Sequence, residues 1–406
     1  MIDYDVVIVG GGASGFFAAI NMAEQNNALK ILILEKNKEV LSKVKISGGG
    51  RCNVTHACFV PSVLVKYYPR GERELRGPFH TFSTGDMMEW LENKGVELKI
   101  EDDGRIFPVS DNSQTIIDCF LNETNRLGIE IRTSCGVKSI EKSANQWIVR
   151  TSEREIKTDN LVIASGSSPQ IWKVMKNVEH TIIPPVPSLF TFNIPDKKLH
   201  QLMGNSVSPV TLKIKNSKLT AEGDLLITHW GLSGPAILRL SAWGARELAT
   251  CDYRFTLQIN WLNHSHFDEV LMALQTFKNQ HPKKSIGTKS PFGFTQRIWK
   301  YLIESAEIDT EKIWVETTKK QLIALTYKLV QTEYEVNGKS TFKDEFVTAG
   351  GIDLKEVNFK TMESKLHNNL YFTGEILNID AITGGFNFQN AWTTGFLAAQ
   401  AIANKK

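Results

Sequence analysis

The sequence predicts an α/β protein. A three-layer domain with a parallel sheet, built from both ends of the chain, is expected to carry an inserted β-rich domain and a small helical subdomain. Three observations carry that expectation. The apolar β-branched run Val6–Val9 is followed at once by Gly10, Gly12 and Gly15 and then by a small-residue stretch of helical period. Strand, glycine and helix return in that order near the C-terminus, in NLYFTGE and GGFNFQNAW. Between them, SVSPVTLKIKNSKLTAEGDLLITHWG alternates in the manner of strands joined by turns, which suggests a small barrel or sandwich.

The elements follow in order. After the first strand come a helix over 13–24, a second apolar run ending at Glu35, a glycine-rich loop, and a long polar stretch to about Thr84. A helix at 85–94, a hairpin in EDDGRIFPVS and a helix at 113–127 are expected next. IEIRTSCGVKSIEKSANQWIVRT alternates like antiparallel strands, and DNLVIASGSS returns to a buried strand ending in a glycine turn. The proline-rich IIPPVPSLFTFNIPD marks a boundary, since proline does not continue a central strand. The expected division is therefore a discontinuous domain of 1–188 and 341–406 around an insert of 189–340, barrel-like over 189–290 and helical over 291–340.

Composition narrows the function classes. At 406 residues, with 42% apolar and 22% charged side chains, the chain reads as a soluble globular protein of two or three domains. A net charge of +3 gives no argument for nucleic acid or an anionic membrane as partner. No stretch reaches the roughly 18 apolar residues of a spanning helix, and no signal core precedes the first strand. The five cysteines, Cys52, Cys58, Cys119, Cys135 and Cys251, form no C-x-x-C and are too scattered for a disulfide scaffold. A reducing cytoplasm is the expected location. No metal-ligand spacing is present, and no motif bears on oligomeric state.

Each glycine of the first motif has a physical task. Gly10 lets the chain turn out of the strand, Gly12 keeps a Cβ away from an approaching pyrophosphate, and Gly15 lets the helix lie close on the sheet. The amides and positive end of that helix then face the phosphates. Glu35, twenty residues beyond Gly15, can accept both ribose hydroxyls of an adenosine and would repel a 2′-phosphate. A lone G-x-G-x-x-G also occurs in ordinary glycine turns. The flanking strand, helix and acid decide for a dinucleotide.

KVKISGGGRCNVT is less usual. Gly48, Gly49 and Gly50 are costly in chain entropy and make sense where backbone runs against a flat or phosphorylated ligand, though a surface loop would also accommodate them. Gly384 and Gly385 precede a helix rich in small residues, whose first amides suit the negative charge that a flavin acquires on reduction; a capped helix docking on the sheet is the plainer alternative.

Together with GRIFPVSD, THWGLSGPAIL and FVTAGGI, these stretches resemble the HI0933-like flavoproteins, also described as BaiN-like NAD(P)/FAD-dependent oxidoreductases, within the glutathione-reductase type of FAD folds. The resemblance implies a Rossmann-like FAD-binding domain. It places Gly10, Gly12, Ala13, Ser14 and Gly15 at the FAD pyrophosphate, Glu35 with Lys36 at the adenosine ribose, and the Val137 backbone at adenine. It brings Ser47, Gly48, Gly49, Arg51, Cys52 and Asn53 to the ribityl chain and flavin ring, with the Ala164, Ser165, Gly166 turn beside them. Gly374, Glu375, Asp380, Gly385, Asn387 and Phe388 would close over the flavin from the other side. The chain departs from the family pattern at Asn378, where Asp is usual, at Ala381, where Gly is usual, and in a shortened ASGSSPQIW loop.

The implied activity is an FAD-dependent oxidoreduction of a small organic substrate by hydride transfer at flavin N5, with NAD(P)H as donor. Reduction of a conjugated C=C and oxidation of an amine, with oxygen as acceptor, both fit the resemblance. No second fingerprint marks a nicotinamide domain, so NAD(P)H is expected only as a transient co-substrate. Cys52 and Cys58 lack the spacing of a disulfide reductase, and Cys52 reads more readily as a packed thiol than as a catalytic one. His229 could relay protons beside Trp230, although a lone histidine next to an aromatic is commonly structural. The competing class is a flavin-holding module that binds a partner or RNA; the small net charge weighs against RNA.

Overall fold

The computed structural model describes residues 3–340 and 347–405. The chain divides into two compact units, Met1–Pro187 with Lys343–Lys406, and Ser188–Phe342.

The main sheet of the first unit carries β1 (Tyr4–Val9), β2 (Ile31–Leu34), β3 (Glu130–Arg132), the hairpin β4 (Val137–Ser143) and β5 (Gln146–Thr151), β6 (Glu155–Ile163) and β7 (Leu370–Phe372). Its parallel part runs β3-β2-β1-β6-β7, with Val6 opposite Ile31 on one side and Asn160 on the other, and Leu161 opposite Leu370. Helices α1 (Ala13–Gln25) and α2 (Phe386–Ala403) are adjacent: a Cβ on Gly395 would lie 3.0 Å from the Ser14 carbonyl. All four residues of β2 and nearly all of β1 are buried, which is why both read as unbroken apolar runs.

Three segments differ from expectation, each for a local reason. IEIR supplies β3, which pairs in parallel with β2, whereas β4 and β5 form the expected antiparallel hairpin. Alternation alone does not distinguish an edge strand of a parallel sheet from a meander strand. The proline-rich stretch is a strand, Ile182–Ser188, paired with Val347–Ile352 as a two-stranded ribbon in which both strands are edges. The polar stretch before Thr84 holds the strand Thr55–His56, which joins the expected hairpin Leu98–Ile100 and Arg105–Pro108, followed by helical turns at Pro61–Leu64 and Pro78–Thr81.

Behind β7, a polar latch supports the chain just before Thr373. His180 packs edge-on against Phe372, with ring centroids 4.8 Å apart. Its Nδ1 lies 2.8 Å from Glu356 Oε2 and its Nε2 3.0 Å from Ser364 Oγ. Ser364 Oγ already accepts the Leu366 and His367 amides, each at 3.0 Å. Its hydroxyl proton is therefore the one that points to Nε2, and Nδ1–H donates to Glu356. Buried and accepting two amides, this serine braces the 364–367 turn.

The second unit is a seven-stranded antiparallel sheet in the order 332–337, 254–260, 206–214, 220–227, 231–233, 191–193 and 339–340. The expected split into a barrel-like first part and a helical second part is not seen. Helices Pro235–Thr250 and Phe267–Gln280 precede residue 290, and Thr332–Asn337 returns to the sheet after it. Glycines in THWGLSGP serve close packing: a Cβ on Gly231 would lie 2.2 Å from the Phe192 carbonyl. No helix among the described residues is long and apolar enough to cross a membrane.

Candidate functional site

The first glycine motif is built as its spacing requires. A Cβ on Gly10 would lie 2.4 Å from the Ala164 carbonyl, and one on Gly15 would lie 2.1 Å from the Gly10 carbonyl, so strand, turn and helix touch through bare backbone. Gly12 is different. A Cβ there would meet no protein atom within 4 Å, and its φ of −95° suits any residue. The space above it, at the N-terminus of α1, is where an anion would sit against first-turn amides that have no acceptor within the helix and no side-chain cap.

Glu35 stands at the end of β2 with one carboxylate oxygen accepting the Gly11 amide and the other the Asn37 amide, both at 2.9 Å. Two fixed donors leave the remaining lone pairs of both oxygens for hydroxyls. Lys36 is exposed beside Gly136, and Gln170 donates to the Val137 carbonyl at 2.8 Å. The Ala164–Gly166 turn lies alongside: the Ala164 amide donates to Val9, and Gly166 comes within 3.7 Å of Glu375 Oε2 when given a Cβ. Ser14 Oγ donates to the Thr373 carbonyl at 3.4 Å, while Glu375 is paired with Lys43 at 2.5 Å.

The second glycine stretch starts as a helix at Ser42 and breaks at Ser47, after which Gly48, Gly49 and Gly50 have φ values of 58°, 70° and 85°. Three successive left-handed residues are a conformation that only glycine adopts at low cost. GRIFPVSD fixes this loop. The Arg51 guanidinium lies 3.9 Å from the Phe107 ring centroid, donates to Glu101 at 2.6 Å and reaches Asp111 at 3.4 Å. The Glu101 and Asp111 carboxylates hold Arg51 above its ordinary range, so it stays charged. Cys52 is fully buried with φ +61°, and burial pushes its thiol up to about 12. It is protonated at neutral pH.

Asn53 joins this loop to the closing helix. With its amide oriented to satisfy both neighbours, it donates to the Thr55 carbonyl and accepts the Gly385 amide, each at 3.0 Å. Gly385, with φ +90°, could not carry a side chain, because a Cβ would lie 2.6 Å from the Thr55 carbonyl. α2 therefore starts without a side-chain cap, leaving its first amides available. Asn387 brackets Ala381, accepting its amide at 3.0 Å and donating to its carbonyl at 3.2 Å, and Phe388 stacks on Trp392 with centroids 5.5 Å apart. VTAGGI backs the Gly374–Ile376 turn: a Cβ on Gly351 would lie 2.4 Å from the Ile376 carbonyl.

Four residues here had no signal in the sequence: Arg70, which meets the expected Asp380, and Tyr67, Tyr68 and His56. Asp380 is fully buried, and Arg70 Nε donates to its Oδ1 at 2.5 Å while Nη2 donates to Oδ2. Tyr67 stacks on Phe386 at 4.4 Å, Tyr68 donates to the Phe386 carbonyl at 2.5 Å, and His56 Nδ1 lies 3.1 Å from the Gly384 carbonyl. Their partners lie more than 300 residues away in the chain. His229 belongs to the second unit, where it is exposed and stands edge-on to Trp230, with centroids 4.1 Å apart.

The residues present fit FAD. Open space over Gly12, an acid on two amides at the end of β2, and two uncapped helix starts within one unit match a diphosphate, a ribose and an electron-accepting ring. Among the described residues no group of His, Cys, Asp and Glu could hold a metal ion.

Comparison with known proteins agrees with this geometry. The family model described as HI0933-like protein Rossmann domain matches residues 4–401. The chain is 26% identical over 408 residues to a 3-dehydro-bile acid delta(4,6)-reductase of Clostridium scindens, covering 98% of each. It is equally, 26%, identical over 415 residues to a ribosomal RNA dihydrouridine synthase of Haemophilus influenzae, again covering 98% of each. In fold it is similar to a 3-ketosteroid-delta4-(5alpha)-dehydrogenase from Rhodococcus jostii RHA1, with a TM-score of 0.55 at 13% identity over 100% of this chain and 98% of that one.

Proposed function

The chain belongs to the HI0933-like family of FAD-dependent oxidoreductases, and from that premise we propose that it reduces a C=C bond conjugated to a carbonyl, with NAD(P)H as electron donor. The observation that carries the reading is the pair of uncapped helix starts, α1 and α2, within a single unit. The names of the two relatives add the substrate class. A 3-oxo-4,6-diene and a uracil ring both present a C=C in conjugation with a carbonyl.

When bound, FAD supplies the hydride chemistry. The chain supplies position and charge. Amides at Ala13–Gly15 would hold the diphosphate, Glu35 would take the ribose hydroxyls, and the first amides of α2 would favour negative charge on the reduced ring. Asn53 and Asn387 keep that helix start in place. Adding hydrogen across a C=C also consumes a proton. Cys52 keeps its own at neutral pH and does not supply it.

Anaerobic mixing with NADPH tests the reading. The yellow band should bleach, and a small enone or dienone should restore it while saturated ketones and amines do not. Return of colour with oxygen alone would favour an oxidase instead. A second substrate class follows from the relative that acts on ribosomal RNA: residues 188–342 carry 19 Lys and Arg against 14 Asp and Glu, an excess of positive charge suited to an anionic polymer. Recovery of colour with uridine-containing RNA, but not with free enones, would decide for it.

A further inference from the structure

We propose that Arg70 is a positioning residue for the flavin: it holds Asp380 against the entrance of α2, and the balance of these two charges sets how readily bound FAD is reduced. The inference rests on the reading that the first unit holds FAD.

Asp380 lies five residues before Gly385, the start of α2, and its side chain is fully buried. Taking a carboxylate out of water is costly unless a donor meets it. Arg70 does so bidentately, through Nε and Nη2, and the two residues are also joined as an antiparallel main-chain bridge. The segment around Arg70 grips the same loop at other points. The Tyr67 carbonyl accepts the Ile382 amide at 3.1 Å, Tyr68 donates to the Phe386 carbonyl at 2.5 Å, and Gly71 lies so close to Ile379 that a Cβ would stand 2.8 Å from its Cγ1.

These neutral contacts already fasten the loop, so the ion pair is not needed merely to close it. A buried ion pair is weak evidence of stabilisation, because apolar residues of similar volume commonly serve as well. What the pair places beside the start of α2 is two opposite charges, each kept in check by the other. A carboxylate alone beside the start of α2 would oppose negative charge on a reduced flavin held there, and a guanidinium alone would favour it. Together they cancel.

The two single variants should therefore act in opposite directions. In Arg70→Gln the ratio of reduced to oxidised FAD at a fixed potential should fall about tenfold, equivalent to about 30 mV for a two-electron couple, and in Asp380→Asn it should rise by a similar factor. Arg70→Lys and the double variant should stay close to wild type. The experiment is a spectroscopic redox titration of each holoprotein against a reference dye, with FAD affinity measured alongside. Opposite shifts that cancel in the double variant support the proposal. Unchanged potentials, or shifts of one sign in both single variants, overturn it, since a purely structural clasp would behave in those ways. If Arg70→Gln fails to fold, the sign of Asp380→Asn against Arg70→Lys decides. A wild-type protein that takes up no FAD would instead refute the underlying reading.

Discussion

Gly12 and Gly15 separate ligand binding from folding within one motif. Replacing Gly15 by Ala puts a Cβ 2.1 Å from the Gly10 carbonyl, a clash with backbone that only movement of α1 relieves. The expected cost is about 3 kcal/mol, the upper part of the overpacking range. Replacing Gly12 by Ala meets no protein atom within 4 Å at a permitted φ, so folding stability should change by about 1 kcal/mol or less, as expected at a helix N-cap. The same methyl would stand in the space assigned to the diphosphate. FAD affinity should then fall between about 10- and 100-fold, equivalent to about 1.4 to 2.8 kcal/mol. Urea denaturation of the apoproteins gives the first pair of numbers, and fluorescence titration with FAD gives the last. Wild-type FAD affinity in Gly12→Ala, or a loss of stability matching that of Gly15→Ala, would refute the assignment of this helix start to the diphosphate.

Other consequences follow from single residues. Arg51→Ala removes the cation held by Glu101 and Asp111 and leaves Gly48–Gly50 unsupported, so FAD should dissociate several-fold faster in a stopped-flow displacement assay while the melting midpoint moves little. Burial holds the His180 imidazole below its ordinary pKa, and the Glu356 hydrogen bond only partly offsets this. Stability should therefore be level above about pH 6.5 and decline as the pH falls below it, because the unfolded chain takes up the proton first. A second decline should begin below about pH 4.5: burial alone would raise Glu356, but its bonds to Thr181 and His180 outweigh that and hold it low. Denaturation midpoints measured against pH should show a shallower upper decline in His180→Gln than in wild type, the remainder coming from His56, which burial also holds below its ordinary range. Native alkylation at pH 8 should label Cys251 and spare Cys52, as read by peptide mass spectrometry.

The legible parts of the fold were those governed by neighbours in sequence. The run from Tyr4 to Glu35 obeys local rules of strand, glycine turn and helix, and so does the entry to α2 at Gly384 and Gly385. The Glu130–Arg132 strand was misread because its alternation carries no information about the direction of its partner. That Ile182–Ser188 also forms a strand was not legible, because proline excludes a central strand but not a ribbon with two edges.

The polar frame of the site was hidden for a different reason. Arg70 and Asp380 are 310 positions apart, and His180 is 184 from Ser364, so no periodicity links them. Even Arg51, which the sequence singled out, gave no hint that Glu101 and Asp111 receive its guanidinium. Such pairs arise from topology, where the closing strand β7 lies beside β6 and brings the C-terminal motif against the N-terminal one.

Titrating the wild-type apoprotein with FAD tests the central claim most directly. Saturable uptake of one FAD per chain, with quenched fluorescence and a retained yellow band after desalting, is the predicted result. A protein that stays colourless and leaves FAD fluorescence unchanged would contradict it.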